Sequence, residues 1–180
     1  MAEVVEAEVR SFVSEAEFRR LLEFFRANAK LVREDEQETH YFDGPADVRI
    51  QQSRGFSKIW MKGGRMHEDA REEVEVVVDR DDFPKLQKIF EALGHKVKIK
   101  WFRQRNMFLW EGITVCLDFT RGYGHIIELE KLCPAEEKQA SLELLGRKME
   151  ELGISPTPKE VFDRKFKEYE SNWRVLTGRA

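Results

Sequence analysis

Val4-Val5-Glu6-Ala7-Glu8-Val9-Arg10 alternates strictly, with Val5, Ala7 and Val9 on one face and Glu6, Glu8 and Arg10 on the other. A side-chain period of two is that of a β-strand, so the spacing predicts a strand over 4–13. Its polar face carries full charges, whereas a solvated sheet face is commonly filled by Ser and Thr.

The same theme repeats outward along the chain. Ser14 and Glu17 make a capping box, and Phe18, Leu21, Leu22 and Phe25 follow at helical spacing, which predicts a helix to about Asn28. Strands are expected over 38–43, 48–52, 57–62 and 71–78, with Gly44-Pro45 and Gly63-Gly64 as breaks. Asp81 or Asp82 caps a helix that carries Phe83, Leu86, Ile89, Phe90 and Leu93 and stops at Gly94. Three more strands are expected, over about 98–110, 113–119 and 125–132. Two helices finish the chain, one from Pro134 to Gly153 and one opened by Thr157-Pro158 with Glu160 completing a Thr-x-x-Glu box. Strand groups alternating with helices predict an α+β class and one domain over 1–180, with its core at about 4–132 and C-terminal helices at about 134–176. The run Arg33-Glu34-Asp35-Glu36-Gln37-Glu38 reads as a solvated connection.

The charges on the strands sort by position. Acids sit in the first and last strands (Glu6, Glu8, Asp118, Glu128, Glu130), and bases in the middle ones (Arg49, Lys58, Lys62, Arg103, Arg105). About eight antiparallel strands can close into a β-barrel that abolishes its edges, with helices packed outside on the apolar faces. The interior is then a channel lined by both signs of charge. Unpaired buried charge costs several kcal/mol per ion, so ligands are implied. Arg forks suit phosphate, and clustered carboxylates suit a hard divalent cation such as Mg²⁺ or Mn²⁺.

Composition narrows the class. The 180 residues hold 31 Lys+Arg against 34 Asp+Glu, a net charge of −3, which argues against a generic nucleic-acid binder. No apolar run approaches the roughly 18 residues of a membrane span. The acidic start, Met1-Ala2-Glu3-Val4-Val5-Glu6, is unlike a signal peptide, and Cys116 and Cys133 have no metal or disulfide spacing, so a cytoplasmic protein with reduced thiols is expected. The four His residues lack metal spacing and read as surface or packing residues. Cys116 shares the Asp118 face without a partner His, which argues against a nucleophile. Trp60 either stacks on an organic ring or fills one end of the channel, and Phe162, Phe166, Tyr169 and Trp173 read as helix packing.

An ordered set of motifs then carries a resemblance. Glu6-x-Glu8-x-Arg10 resembles the ExExK signature of the CYTH superfamily, the triphosphate tunnel metalloenzymes. Tyr41-Phe42-Asp43-Gly44-Pro45, Val48-Arg49-Ile50-Gln51, Trp60-Met61-Lys62 and Arg103-Gln104-Arg105 resemble its later motifs in the same order. Leu117-Asp118, Gly122-Tyr123-Gly124 and Glu128-Leu129-Glu130 are similar to the family's closing LD…GxG…ExE, the most specific part.

The resemblance implies an eight-stranded tunnel that binds a triphosphate or nucleotide with two Mg²⁺ or Mn²⁺ ions. Glu6, Glu8, Asp118, Glu128 and Glu130 would be metal ligands, and Arg10, Arg49, Lys58, Lys62, Arg103 and Arg105 would hold phosphates. Glu6, Glu8, Arg10, Lys62 and Arg105 form the expected catalytic set. Glu73 and Glu75 share faces with these residues. The activity implied first is metal-dependent hydrolysis of inorganic triphosphate or a small organic triphosphate. A class IV adenylyl cyclase and a non-catalytic polyphosphate- or nucleotide-binding module are the alternatives, and a homodimer is compatible with each. Three positions depart from the pattern: Arg10 replaces a Lys, Gln51 replaces a second Arg, and Glu160-Val161-Phe162 replaces a Ser-Tyr.

Overall fold

A computed structural model describes residues 4–62 and 73–179; the side chains of Lys62 and Glu73, the Gly63-Gly64 break, His67 and the expected strand start at Arg71 lie outside the described residues. The elements run β1 (Val4–Val13), α1 (Glu15–Asn28), β2 (Lys30–Phe42), β3 (Asp47–Gln52), β4 (Ser57–Lys62), β5 (Glu73–Val78), α2 (Phe83–Ala92), β6 (Val97–Trp110), β7 (Ile113–Thr120), β8 (Gly124–Pro134), α3 (Lys138–Glu151) and α4 (Lys159–Thr177). The eight strands form one sheet in the order β1-β8-β7-β6-β2-β3-β4-β5. The α+β class and the antiparallel pairing are as the alternation predicts.

Closure is not. Among the described residues no ladder joins β1 to β5, so hydrogen bonding leaves the order open where a closed barrel was expected. Periodicity fixes which face a side chain takes. Closure depends on strand tilt and shear, which periodicity does not encode.

A second correction concerns β2. The expected connection 33–38 lies inside this strand, and Asp35, Gln37 and Thr39 are buried on alternate positions. A polar run reads as a loop only when its side chains reach water. Here they find buried partners instead.

Contacts group the chain into two compact units, Met1–Glu34 with Gln104–Tyr169, and Asp35–Arg103 with Glu170–Ala180. In the first, Ala7, Leu21, Phe25, Phe108, Val115, Leu117, Ile127, Leu129 and Leu145 build the core, with Val5, Val9 and Val13 packed against it. These residues take the apolar parity of β1, β7 and β8, and α1 and α3 supply the cover. The charged parity of the same strands therefore faces the other way.

The cap of α1 forms as read: Ser14 Oγ accepts from the Glu17 N–H (3.2 Å), and Glu17 accepts from the Ser14 N–H (2.7 Å). Ser14→Ala should cost about 1 kcal/mol of unfolding free energy, and Ser14→Asp should recover most of it. Urea titration with an unchanged slope checks this.

The turn from β7 to β8 uses Gly122 (φ 76°) and Gly124 (φ 123°), a backbone region that side chains avoid. Just ahead of α4, Thr157 reaches back to β1. Thr157 Oγ1 accepts from the Phe12 N–H (3.0 Å) and lies 2.8 Å from Ser11 Oγ, tying this segment to β1. As a result Phe162 stacks on Phe12, which has the parity of Arg10, so this helix does not lie only on the apolar side.

In the second unit Phe42, Ile50 and Phe83 form the core, with Ile59, Leu86, Phe90 and Val97 against it. Asp82 precedes α2, but its carboxylate pairs with Lys85 and makes no side-chain hydrogen bond to the cap.

Candidate functional site

Register lines up the charged parity of the first unit. Glu8 lies opposite Glu130, Arg10 opposite Glu128, and Cys116 opposite Glu128 on the other side. Glu6 continues the same face toward the strand end and is exposed.

Arg105 is the hub. Its Nε donates to Asp118 Oδ1 (2.9 Å) and its Nη2 to Asp118 Oδ2 (2.6 Å), a two-pronged fork, and Nη2 also donates to Glu128 Oε2 (2.7 Å). Side-chain exposures of 14% for Arg105, 3% for Asp118 and 14% for Glu128 keep water from screening the triad. Burial opposes the Arg105 charge, but Asp118 and Glu128 outweigh it and hold the guanidinium well above its ordinary range.

The remaining carboxylates are less compensated. Burial, then the charge of Glu128, push Glu8 up to about 7 and Glu130 up to about 8. Glu8 has Arg10 Nη1 at 3.8 Å, beyond hydrogen-bonding reach. Donor atoms of Cys116, Glu128 and Glu130 all lie within 4.8 Å of one another, and Cys116 Sγ is 3.9 Å from Glu130 Oε1. Carboxylate oxygens converging with surplus negative charge fit a hard divalent cation. Burial pushes the Cys116 thiol far above its ordinary range, so it is no thiolate nucleophile.

The second unit carries its own polar face, and there Arg49, Lys58 and Arg103 each have a partner. Arg49 forks onto Asp47 (2.7 and 2.6 Å) with its guanidinium carbon 4.3 Å from the centroid of the Tyr41 ring. Lys58 Nζ donates to Glu75 Oε2 (2.6 Å) and lies 4.5 Å from the centroid of the buried Trp60 ring. Arg103 Nε donates to Gln37 Oε1 (2.8 Å), while Gln37 donates to Asp35 (3.0 Å), whose other oxygen accepts from the Arg54 N–H (2.9 Å). Gln51 accepts from Thr39 (3.3 Å) and donates to Ser53 (2.9 Å), so the position lacking a second Arg is built into a neutral network.

The structure thus brings Glu8, Arg10, Arg105, Asp118, Glu128 and Glu130 onto one face of the first unit and joins Cys116 to them. Arg49, Lys58 and Arg103 belong to the second unit. Sequence reasoning missed Asp35, Gln37, Asp47 and Tyr41, which orient the basic residues, and Phe162 beside Arg10. The signal was present for three of them, since Asp47-x-Arg49 and Asp35-x-Gln37 are same-face neighbours on a strand.

Comparison with known proteins agrees. A family model described as the CYTH domain matches residues 5–161. A Methanocaldococcus jannaschii protein described as a candidate adenylate cyclase is 27% identical over 135 residues, covering 70% of this chain and 77% of its own. Among solved structures, a conserved hypothetical protein of Pyrococcus furiosus superposes with a TM-score of 0.70 at 23% identity, over 86% of this chain and 96% of that one. A Vibrio parahaemolyticus candidate adenylate cyclase superposes at 0.68 with 16% identity, over 86% and 94%. Among the described residues no helix is long and apolar enough to cross a membrane. The matched span 5–161 runs from the carboxylates of β1 past those of β8, and the chain belongs to the CYTH domain family.

Proposed function

We propose that this chain is a metal-dependent triphosphatase that hydrolyses inorganic triphosphate or a small organic triphosphate. The observation that carries the reading is the face shared by Glu8, Glu128 and Glu130 with the Arg10 and Arg105 guanidiniums. Glu8, Glu128 and Glu130, with Glu6 and Asp118 as outer members, would hold Mg²⁺ or Mn²⁺, which supplies charge neutralisation at phosphate oxygens.

The chain's own residues do the rest. Arg105 is held in plane by Asp118 and presents a fixed positive charge beside the carboxylates. Arginine is a fixed cation, so the role given to Arg10 is to bind charge and not to move a proton. Arg49, Lys58, Lys62 and Arg103 are assigned further phosphate contacts, and Arg49, Lys58 and Arg103 are oriented by neighbours within the second unit.

A second reading is cyclisation of ATP to cyclic AMP, favoured by the description of the Methanocaldococcus relative. One panel separates the readings: tripolyphosphate, thiamine triphosphate, ATP and pyrophosphate with Mg²⁺ or Mn²⁺, assayed for phosphate and for cyclic AMP. Phosphate release from tripolyphosphate supports the triphosphatase. Cyclic AMP as the sole product replaces it with the cyclase. Tight tripolyphosphate binding without turnover makes the chain a binding module.

A further inference from the structure

The Arg10 guanidinium carbon lies 4.4 Å from the centroid of the Phe162 ring. That ring is only 3% exposed and stacks on Phe12 at 4.4 Å with an interplanar angle of 23°. Phe12 in turn meets Tyr123 at 5.3 Å, and the Tyr123 hydroxyl donates to the Phe162 carbonyl at 3.5 Å. The ring is therefore fixed from below, from the side and along its own backbone. Arg10 is held differently from Arg105. Arg105 has a carboxylate fork, whereas the ion pair of Arg10 is a loose 3.8 Å approach to Glu8.

We propose that Phe162 is a positioning residue that sets the plane of the Arg10 guanidinium, so that its N–H groups are presented to an anion in place of a protein carboxylate. A flat aromatic face holds a flat guanidinium by stacking and by attraction to the ring's negative face, and it consumes none of the five N–H donors. A lysine ammonium in the same position is a point charge with no plane to align. Arg10 and Phe162 are thus a matched pair, and neither tolerates replacement of the other's character. The role in substrate binding rests on the triphosphate reading above. The stack itself does not.

The test uses the full chain with Phe162→Leu, Phe162→Tyr, Arg10→Lys and the Arg10→Lys/Phe162→Leu double variant. Phe162→Met substitutes for the leucine variant if that one unfolds. In the ligand-free protein, Arg10 side-chain resonances should be shifted upfield by the ring in wild type and Phe162→Tyr, and return to free-arginine positions in Phe162→Leu. Calorimetric titration with tripolyphosphate and Mg²⁺ should show Phe162→Leu and Arg10→Lys each weakened about fivefold, with Phe162→Tyr close to wild type. The double variant should lose at most about twofold more than either single, because both remove one interaction. A residue that merely packs gives additive losses, about 25-fold together. Additivity, or Arg10 resonances indifferent to residue 162, overturns the inference. Wild type that binds no tripolyphosphate overturns the triphosphate reading instead, and the resonance measurement still decides the stack.

Discussion

Arg105→Ala should destabilise the protein by about 3–5 kcal/mol, measured by guanidinium unfolding at neutral pH. The lost attraction is the smaller part. Asp118 and Glu128, with side chains only 3% and 14% exposed, would both lose the guanidinium that bridges them, and under-compensated buried charge accounts for most of the loss. Two consequences separate this from a simple packing defect. Arg105→Met combined with Asp118→Asn and Glu128→Gln should recover most of the stability, because it removes the charges together. Arg105→Lys should recover little, since one ammonium cannot reproduce a fork to Asp118 and a third bond to Glu128. A loss below about 1 kcal/mol in Arg105→Ala would mean that water screens the triad, contrary to its burial.

What was legible in the sequence follows from what periodicity encodes. The strict alternation of Val4–Val13 gave the strand to the residue and put Val5, Ala7 and Val9 on the core side and Glu8 and Arg10 opposite. The capping box at Ser14 was equally readable, because a cap is a local hydrogen bond between residues three apart. Partners set by register were not readable. Glu8 faces Glu130 because β1 and β8 pair at an offset fixed by turns and core packing, and no pattern within either strand states it. The run 33–38 misled because its polarity matches a loop, while Asp35 and Gln37 are buried acceptors and donors that hold Arg103. Phe162 has helical spacing with Phe166 and so reads as core, yet the Thr157 tie to β1 turns it onto the charged parity. Aromatic spacing identifies a buried face without saying what lies against it.

Glu130→Gln should move stability and activity in opposite directions. Burial and the neighbouring Glu128 raise the Glu130 carboxyl to about 8, so in the metal-free folded chain the ionised form is the unfavourable one. The unfolded chain gives up this proton near the ordinary carboxylate range, the folded chain only near 8. The folded state therefore binds the extra proton between those values, and stability falls as pH rises through that window. Glutamine is neutral throughout and removes that slope. Without metal, the variant should match wild type near pH 4 and become progressively more stable than wild type up to about pH 9. Turnover should behave in the reverse manner. If Glu130 holds a divalent cation, its loss should lower Mg²⁺- or Mn²⁺-dependent phosphate release from tripolyphosphate by about 100-fold or more. The added cation should also stabilise wild type more at pH 8.5 than at pH 5.5, since protonated carboxyls are poor ligands, and that difference should shrink in Glu130→Gln. Parallel thermal melts and phosphate release across pH read both effects from one pair of proteins. Turnover within about threefold of wild type would remove Glu130 from the proposed ligand set. A carboxylate kept for structure would lose stability with its charge, so a gain in metal-free stability together with a loss of turnover assigns Glu130 to holding a cation.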